Sequence, residues 1–341
     1  MSKSFVHLHA HTEYSMLDGA AKINDYLKKV KELNQPAAAI TDHGNLYGAL
    51  EFVRQAEILD IKPIIGYEAY VTPGSRFDRP ERDKNKRYHL TLLAENNTGY
   101  QNLVELVSKA YLEGFYYKPR VDYDLLKEHA EGIIALSGCL GGEVAQHLAP
   151  DGSREEGNTA NEKSYEKALE KAKNYQNIFG QENFFIELHN HGINQQIQIL
   201  DDLVNISKEI DAPLVAANDS HYVSKNDSSA HDALLCVQTN ATMEDDDRFK
   251  FDGEEYYVKS SEEMRQLFPD ELFPNACDNT LKIADRVNYQ FSFDKDYLPD
   301  FPIDDSSLTV EEFLRKKVFI GAEQKYHEIN TEVQELSLIH I

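Results

Sequence analysis

Three histidines alternate with apolar residues near the start of the chain, in the run from Phe5 to His11. Successive side chains of a β-strand point to opposite faces, so we expect His7, His9 and His11 to share one face. The apolar residues between them would share the other face. A row of neutral imidazoles is typical of a site that binds a transition-metal ion. The run therefore predicts a strand with one apolar face and one metal-binding face.

Strand-like and helix-like segments alternate through most of the chain. The predicted strands are 4–11, 37–41, 63–71, 88–94, 132–137, 183–189 and 213–219. Several are apolar on both faces, as in a parallel sheet covered by helices. Predicted helices at 23–33 and 165–179 each carry one apolar stripe. Seven strands that alternate with helices predict the α/β class and a (β/α) barrel.

This alternation stops after about residue 226. The aromatic run 249–259 alternates in polarity and predicts a small hairpin or an edge strand. Ser260 with Glu263, and Thr309 with Glu312, have the spacing of capping boxes. Each pair therefore predicts the start of a further helix.

The bulk properties of the chain point to a protein of the cytoplasm. The chain has 341 residues, no apolar run long enough to span a bilayer, and no apolar segment of the signal-peptide kind at its start. Its cysteines, Cys139, Cys236 and Cys277, are odd in number and far apart. We therefore predict reduced thiols, a cytoplasmic location and no membrane partner.

The formal net charge of −24 argues against a nucleic-acid-binding surface, which is normally basic. Two circumstances would reverse this inference. One is that carboxylates surround cations, whose charge the formal count omits. Alternatively, the DNA-binding surface lies on a part of the protein outside this chain.

Potential metal ligands accumulate at the ends of the predicted strands and in the loops after them. They are His9, His11, Asp18, His43, Glu68, His89, Cys139, Asp219 and His221. The active face of a (β/α) barrel is built from these positions. A single histidine there is more often an ordinary hydrogen-bonded group, but the pattern recurs strand after strand. Imidazoles, carboxylates and one thiol suit zinc, manganese or iron.

So many candidate ligands exceed the needs of one tetrahedral ion. Two or three divalent ions that share bridging carboxylates fit them better. Clusters of this kind hydrolyse phosphate esters, because one ion activates water and another stabilises the leaving oxygen.

Eight segments together resemble one known family. They are 7–19, 40–44, 65–68, 88–94, 114–120, 136–143, 218–222 and 251–260. They are similar to the polymerase-and-histidinol-phosphatase (PHP) domain that opens the alpha subunits of bacterial DNA polymerase III, the C-family replicative polymerases. The resemblance extends to about Val318. Stand-alone PHP phosphatases lack the segment 251–260, so the match is to the polymerase branch.

The resemblance implies a distorted seven-stranded barrel with a trinuclear metal site. The implied ligands are His9, His11, Asp18, His43, Glu68, His89, Cys139, Asp219 and His221, and each position holds a metal-capable residue. Metal-binding members are associated with a 3′→5′ exonuclease. The full-length family members are DNA-directed DNA polymerases, which implies as partners a DNA primer 3′ end, a sliding clamp and a proofreading subunit.

The resemblance also implies a division of the chain. We expect residues 1–290 to form the PHP phosphoesterase-like domain and residues 291–335 to be a linker, with an acidic stretch at 294–307, and the start of the polymerase palm region. Residues 336–341 resemble a translated sequencing adapter, and we expect them to be a scar. The catalytic aspartates for nucleotide transfer are expected downstream of residue 341, so no carboxylate pair here is assigned to polymerisation.

Two other functions remain open from sequence. One is a stand-alone phosphoesterase of a small phosphate monoester, and the other is a scaffold that metal ions merely stabilise. No catalytic residue beyond the ligands is identified. It also stays open whether His7 is a ligand or orients one, and whether Asp42 orients a ligand. His189 and His191 either line the DNA entry or are ordinary surface residues, and the second alternative is favoured.

Overall fold

A computed structural model describes residues 4–81, 84–149, 163–291, 301–303, 307–326 and 328–338. The chain divides into two compact units, residues 1–290 and residues 291–341. The first unit holds the whole sheet and all of the candidate ligands. Most of the acidic stretch at 294–307, which is predicted to be a linker, lies outside the described residues, as do residues 339–341 of the predicted scar.

The first unit alternates strands and helices. Its strands are β1 (Ala37–Ile40), β2 (Lys62–Val71), β3 (Tyr88–Ala94), β4 (Arg120–Val121), β5 (Ile133–Leu136), β6 (Phe184–Leu188) and β7 (Leu214–Ala216). Its helices are α1 (Ile23–Glu32), α2 (Ala49–Ile58), α3 (Asn97–Leu112), α4 (Tyr123–Glu128), α5 (Glu143–Leu148), α6 (Tyr165–Phe179), α7 (Asn194–Ile210), α8 (Ser228–Thr239), α9 (Ser261–Leu267) and α10 (Ala276–Arg286).

The strands form one sheet in the order β1-β2-β3-β5-β6-β7, and β4 pairs with β2 beside this path. Most neighbours are parallel, but β3 runs antiparallel to both β2 and β5. The register places His89, near the start of β3, beside Tyr70, near the end of β2. Because of this reversal, the first residues of β3 lie at the same end of the sheet as the last residues of β2 and β5.

The N-terminal run lies between β1 and β7 without forming a regular strand. The amide of Ala39 donates to the carbonyl of His7 at 3.0 Å, and the amide of His11 donates to the carbonyl of Ser220 at 2.8 Å. Ala10 and Ser220 form an isolated parallel bridge. The predicted strand at 4–11 is thus present only as one isolated bridge and a few backbone hydrogen bonds, which link β1 with the segment after β7.

Two apolar clusters support this arrangement. The smaller one gathers inward-facing residues, including Leu8, Ile64, Leu93 and Val215, and residues of α10 such as Ile283 pack against them. All five of these side chains are buried. The larger cluster lies between the sheet and the surrounding helices and includes Phe184 of β6 and Tyr175 of α6. Burial of both sheet faces explains the continuous apolar character of the strands.

The fold prediction is confirmed: the chain is α/β, with a distorted seven-stranded sheet. The helix predicted at 165–179 is α6, and both predicted capping boxes are present. The prediction of a hairpin or edge strand at 249–259 is wrong. That run makes only one isolated bridge, Tyr222 to Tyr257, because its aromatic rings pack on other side chains.

The second unit contains α11 (Val310–Lys325), which begins at the capping box of Thr309 and Glu312, and α12 (Thr331–Leu338). The first three residues of the predicted scar, 336–338, are the end of α12. No helix in the described ranges is both long enough and apolar enough for a membrane crossing.

Candidate metal centre

The nine predicted ligands meet at one end of the sheet. His9 and His11 come from the N-terminal run, and Asp18 comes from the loop after it. His43, Cys139, Asp219 and His221 follow strands β1, β5 and β7, whereas Glu68 and His89 belong to β2 and β3 themselves. The antiparallel direction of β3 explains how a residue near its start joins residues that follow other strands.

Glu68 lies at the centre of one half of this cluster. Its Oε1 is 3.2 Å from Nε2 of His9 and 3.0 Å from Nδ1 of His89. Its Oε2 contacts Nδ1 of His43. The Cys139 thiol lies 3.8 Å from Nδ1 of His89 and 3.9 Å from Oε1 of Glu68. One buried carboxylate thus faces three imidazoles and a thiol.

Asp219 occupies the corresponding position in the other half. Its Oδ1 is 3.0 Å from Nε2 of His11, 3.4 Å from Nε2 of His9 and 3.6 Å from Nδ1 of His221. Asp18 completes this half, with Oδ2 at 2.6 Å from Nε2 of His43 and 3.4 Å from Nε2 of His221. His9 and His43 therefore connect the two halves.

The backbone at Asp219 has a φ of 45°, in the left-handed region. Aspartate and asparagine tolerate this conformation better than most residues with a Cβ. The turn after β7 thus directs a carboxylate into the cluster at a position where few other side chains are accommodated.

Six nitrogen or oxygen atoms of these residues are buried and make no hydrogen bond within the described part of the chain. They are His9 Nε2, His11 Nε2, His43 Nδ1, Glu68 Oε2, Asp219 Oδ1 and His221 Nε2. Buried polar atoms in native proteins nearly always have a partner. These atoms instead face one another across the centre of the cluster. Divalent cations would satisfy all six, so the donor set fits metal ions.

The pKa shifts within the cluster also favour the binding of cations. Burial lowers the pKa of His43, but the nearby Glu68 and Asp18 carboxylates outweigh burial and raise it to about 9. Burial raises the pKa of Glu68, but His89 and His43 outweigh burial and hold it well below its usual range. The carboxylates therefore stay ionised and attract positive charge, which bound cations would supply in place of protons.

The Cys139 thiol has a pKa raised to about 11, mainly by burial and next by the Asp219 carboxylate. It is therefore protonated and unreactive in the metal-free protein at neutral pH. A coordinating thiol loses its proton to the metal ion. Cys139 thus fits the role of a ligand and not that of an independent nucleophile.

Glu187 of β6 is a buried residue of the site that sequence reasoning missed. Its Oε1 accepts hydrogen bonds from His9 Nδ1 at 2.7 Å and His189 Nε2 at 3.0 Å. Its Oε2 accepts from the Gly138 amide at 2.9 Å. A carboxylate on Nδ1 fixes the histidine tautomer that leaves Nε2 available to a metal ion. A carboxylate in a predicted strand beside candidate ligands was the only available sequence signal.

Ser15 and Asp42 orient His11 in a comparable way. Nδ1 of His11 lies 3.0 Å from Oγ of Ser15, and the Ser15 hydroxyl donates to Asp42 Oδ1 at 2.7 Å. Asp42 also accepts from the amide and the hydroxyl of Thr12. The Asp42 carboxylate therefore holds the loop after the N-terminal run and acts on His11 through Ser15.

His7 does not join the cluster. Its Nε2 lies 2.8 Å from the carbonyl oxygen of Lys259, and its ring packs edge-on against Phe5. The expectation that all three alternating histidines share one face is therefore wrong. Residues 4–11 make one isolated bridge and a few backbone hydrogen bonds instead of a continuous ladder, so their side chains do not keep a regular pleat.

The remaining buried histidines surround the cluster. His191 hydrogen-bonds the Asn218 carbonyl at 2.8 Å and stacks on Tyr256. His231 of α8, which the sequence analysis did not single out, lies 2.8 Å from the carbonyl oxygen of Asp18 through its Nε2. The Phe251 ring packs edge-on against His221, with ring centroids 4.7 Å apart. The 249–259 run therefore covers one side of the candidate ligands.

The cluster opens into a cleft of about 880 Å³. Ligands His43, His89 and Asp219 line its floor, and aromatic and basic side chains line its walls. A cavity of this size is within the range of small-molecule binding sites. The candidate ligands therefore face an open cleft.

Comparison with known protein families identifies the domain that carries this site. The model of the PHP domain matches residues 7–191, which contain seven of the nine candidate ligands. Two proteins with solved structures show low global similarity to this chain. A two-domain protein from Bacteroides vulgatus, described as containing a predicted PHP-like metal-dependent phosphoesterase, is 13% identical with a TM-score of 0.39, over 83% of this chain and 69% of that one. An amidohydrolase from Chromobacterium violaceum is 15% identical with a TM-score of 0.36, over 64% and 88%.

Sequence relatives are far more similar. DNA polymerase III subunit alpha of Thermus aquaticus is 44% identical over 96% of this chain and 26% of that protein. The subunits of Treponema pallidum and Mycobacterium tuberculosis are 43% and 44% identical, over 97% and 95% of this chain. The chain belongs to the DNA polymerase III subunit alpha family and carries its PHP domain. It spans about a quarter of the length of these relatives.

Proposed function

We propose that this chain is the PHP-bearing part of a replicative DNA polymerase and that its cluster hydrolyses phosphodiesters at a DNA 3′ end. The observation that carries the proposal is the set of six buried, unpartnered ligand atoms at the floor of an open cleft. The match to DNA polymerase III alpha subunits supports DNA as the substrate.

The proposed metal ligands are His9, His11, Asp18, His43, Glu68, His89, Cys139, Asp219 and His221. Three overlapping groups of residues bring their donor atoms within 4.8 Å of one another: His11, His43 and His221; His9, His11 and Asp219; His43, Glu68 and His89. The sharing of His11 and His43 between groups supports two or three ions and not one. The mixture of nitrogen, oxygen and sulfur donors favours Zn, Mn or Fe.

Bound divalent ions would supply an activated water and a Lewis acid for the phosphoryl oxygens. The chain's own residues provide the rest. Glu187 and Ser15 fix the imidazole orientations of His9 and His11. Glu68 and Asp219 hold concentrated negative charge that keeps cations in place. The open cleft admits the end of a strand.

The whole protein would carry out template-directed nucleotide transfer through regions beyond those that this chain matches. We propose that residues 1–290 are the phosphoesterase-like domain and that residues 291–335 lead towards the palm region. We also propose a cytoplasmic replicative assembly as its setting, with a sliding clamp and a proofreading subunit as partners. The names of the relatives support this context.

The direct test is cleavage of a 5′-labelled single-stranded oligonucleotide by the chain in Mn²⁺ or Zn²⁺ buffer. We expect shortening from the 3′ end that a chelator abolishes. Asp219→Asn should reduce the rate about a hundredfold or more, because it removes a charge that contacts three imidazoles. Asparagine tolerates the positive φ at this position, so the backbone can stay as it is.

Asp124→Asn, at an exposed position in the first turn of α4, is the matched control and should keep the wild-type rate. Equal cleavage by Asp219→Asn and the wild type would contradict the proposal. Bound ions without any cleavage would favour the scaffold function. Hydrolysis of p-nitrophenyl phosphate alone would favour a small-molecule phosphatase.

A further inference from the structure

One wall of the cleft carries four aromatic side chains that remain exposed. Tyr47, Tyr111, Phe115 and Tyr117 all line the cleft, and their exposed fractions are 58%, 37%, 51% and 56%. We call these four residues the aromatic wall. Large aromatic side chains usually bury most of their surface, so four exposed rings around one cleft indicate a binding surface.

The rings of the aromatic wall are arranged in series. The Tyr111 and Phe115 rings stack at a centroid distance of 6.0 Å and an interplanar angle of 24°. The Tyr47 ring lies 6.4 Å from that of Tyr111. Tyr111 is in the last turn of α3, and Phe115 lies in the loop that follows, so helix and loop together present one set of ring faces.

Tyr117 adds an independent observation. Its φ is 62°, a left-handed conformation that is unusual for a bulky residue. The Tyr117 ring packs edge-on against the Tyr116 ring, with centroids 4.7 Å apart, and still remains 56% exposed in the cleft. Backbone outliers of this kind cluster at ligand-binding sites, where the surrounding structure maintains them. The loop therefore holds the Tyr117 ring at the mouth of the cleft.

The loop that carries Phe115 and Tyr117 packs directly on the candidate metal centre. Gly44 follows the ligand His43, and a Cβ at residue 44 would lie only 2.9 Å from the Pro119 side chain. Tyr70 lies between the two regions. Its ring stacks on His43 at 6.1 Å, and Nζ of Lys118 lies 5.1 Å from the same ring. The aromatic wall thus adjoins the candidate metal ligands at the floor of the cleft.

Basic groups accompany the rings. Lys118, Arg87 and Lys250 all line the cleft. Within the described residues, no carboxylate lies within ion-pair distance of Lys118. Exposed aromatic rings with interspersed cations form the surface that binds single-stranded nucleic acid, since bases stack on rings and phosphates approach cations. Lys118 thus brings a positive charge to the aromatic wall, although the net charge of the whole chain is negative.

We propose that the aromatic wall stacks the unpaired bases of single-stranded DNA and so delivers its 3′-terminal phosphodiester to the metal centre. This inference rests on the proposed function and adds its substrate class. A base-paired end keeps its bases stacked within the duplex. The wall therefore selects frayed or mismatched ends over paired ones.

The test compares binding of two oligonucleotides by fluorescence anisotropy, with the 341-residue chain in Mn²⁺ buffer. One is 5′-fluorescein oligo(dT), and the other is the same strand with abasic units at its 3′-terminal positions. Phosphorothioate linkages at the 3′ end slow hydrolysis of both. Phe115→Ala should weaken binding of the thymine strand about tenfold, because one base loses its stacking partner. The abasic strand should bind Phe115→Ala and the wild type equally.

Three further variants are compared on the same two strands. Tyr117→Asn removes the ring while asparagine tolerates the positive φ, and it should also weaken only the thymine strand. Phe115→Tyr keeps a ring and should restore binding. Lys118→Gln should weaken both strands alike, because a phosphate contact does not depend on the base.

Leu112→Ala is the matched control. Leu112 is 85% exposed beside Tyr111 but does not line the cleft, so its removal should leave both strands unaffected. Equal losses for thymine and abasic strands in Phe115→Ala, or no loss in any wall variant that still cleaves DNA, would overturn the inference. Base-dependent losses in a chain that binds ions but never cleaves would support the aromatic wall and contradict the proposed hydrolysis.

Discussion

At the scale of single residues, the main feature of the candidate centre is a set of buried donor atoms that make no hydrogen bond within the described residues. The distal nitrogens of His9 and His11 face Glu68 and Asp219 at 3.0–3.9 Å, yet none of these contacts is a hydrogen bond of normal geometry. The near nitrogen of each ring is held by Glu187 or Ser15. Each imidazole is therefore fixed on one side and left available on the other, as in protein metal sites.

Glu187→Gln tests this account without touching a proposed ligand. The amide keeps the shape of the side chain but replaces one acceptor oxygen by a donor. Either the two histidines or the Gly138 amide then lose an acceptor. We expect metal affinity to fall about 10- to 100-fold, measured by titration against a competing chelator. Glu170→Gln, exposed on α6, is the control. Unchanged affinity in Glu187→Gln would show that the orientation of His9 does not depend on this carboxylate.

At the scale of secondary-structure elements, the N-terminal run has the largest effect on the site. It carries two proposed ligands and connects β1 with β7 through a few backbone hydrogen bonds. So few bonds cannot hold it alone. Its side chains anchor it, because Leu8 is fully buried in the smaller apolar cluster.

Leu8→Ala should therefore destabilise the first unit by about 2–5 kcal/mol, the range for a fully buried leucine that leaves a cavity. The measurement is the free energy of unfolding in denaturant, with a chelator present to remove any contribution from bound ions. Leu50→Ala on α2, where the leucine is half exposed, should change it by far less. A loss below about 1 kcal/mol for Leu8→Ala would mean that the run is held by something other than this packing.

The observed elements also show which features of the fold local sequence patterns can predict. Strand positions and the helix α6 were predictable, because apolar runs and capping residues are local signals. The antiparallel direction of β3 was not predictable, because an apolar run has the same pattern whichever way the strand runs in the sheet. The two-residue strand β4 is too short for any periodic pattern. The 249–259 run has the alternation of a strand, but its rings pack around His221 and His191 instead of pairing.

The candidate site, like the fold, could be predicted only in part from local sequence patterns. The candidate ligands stand out because metal-capable residues recur after successive strands. Glu187 and Ser15 have no such signal, because their partners, His9 and His11, are set by the three-dimensional arrangement. His7 has the sequence pattern of a ligand and still contacts a backbone carbonyl instead.

At the scale of the whole molecule, the net charge of −24 and a DNA substrate are compatible. Part of the acidic excess is gathered at the candidate centre, where Asp18, Glu68 and Asp219 are held ionised beside imidazoles. Bound ions would offset that charge. The aromatic wall with Lys118 then offers a strand of DNA a local surface that is neither acidic nor buried.

The most direct test of the central claim is the metal content of the purified 341-residue chain, measured by elemental analysis. The account predicts two to three equivalents of Zn, Mn or Fe in the wild type and a clear reduction in Asp219→Asn. A correctly folded chain that binds no divalent ion under metal-replete conditions would contradict the assignment of the ligands and the hydrolysis proposed from it.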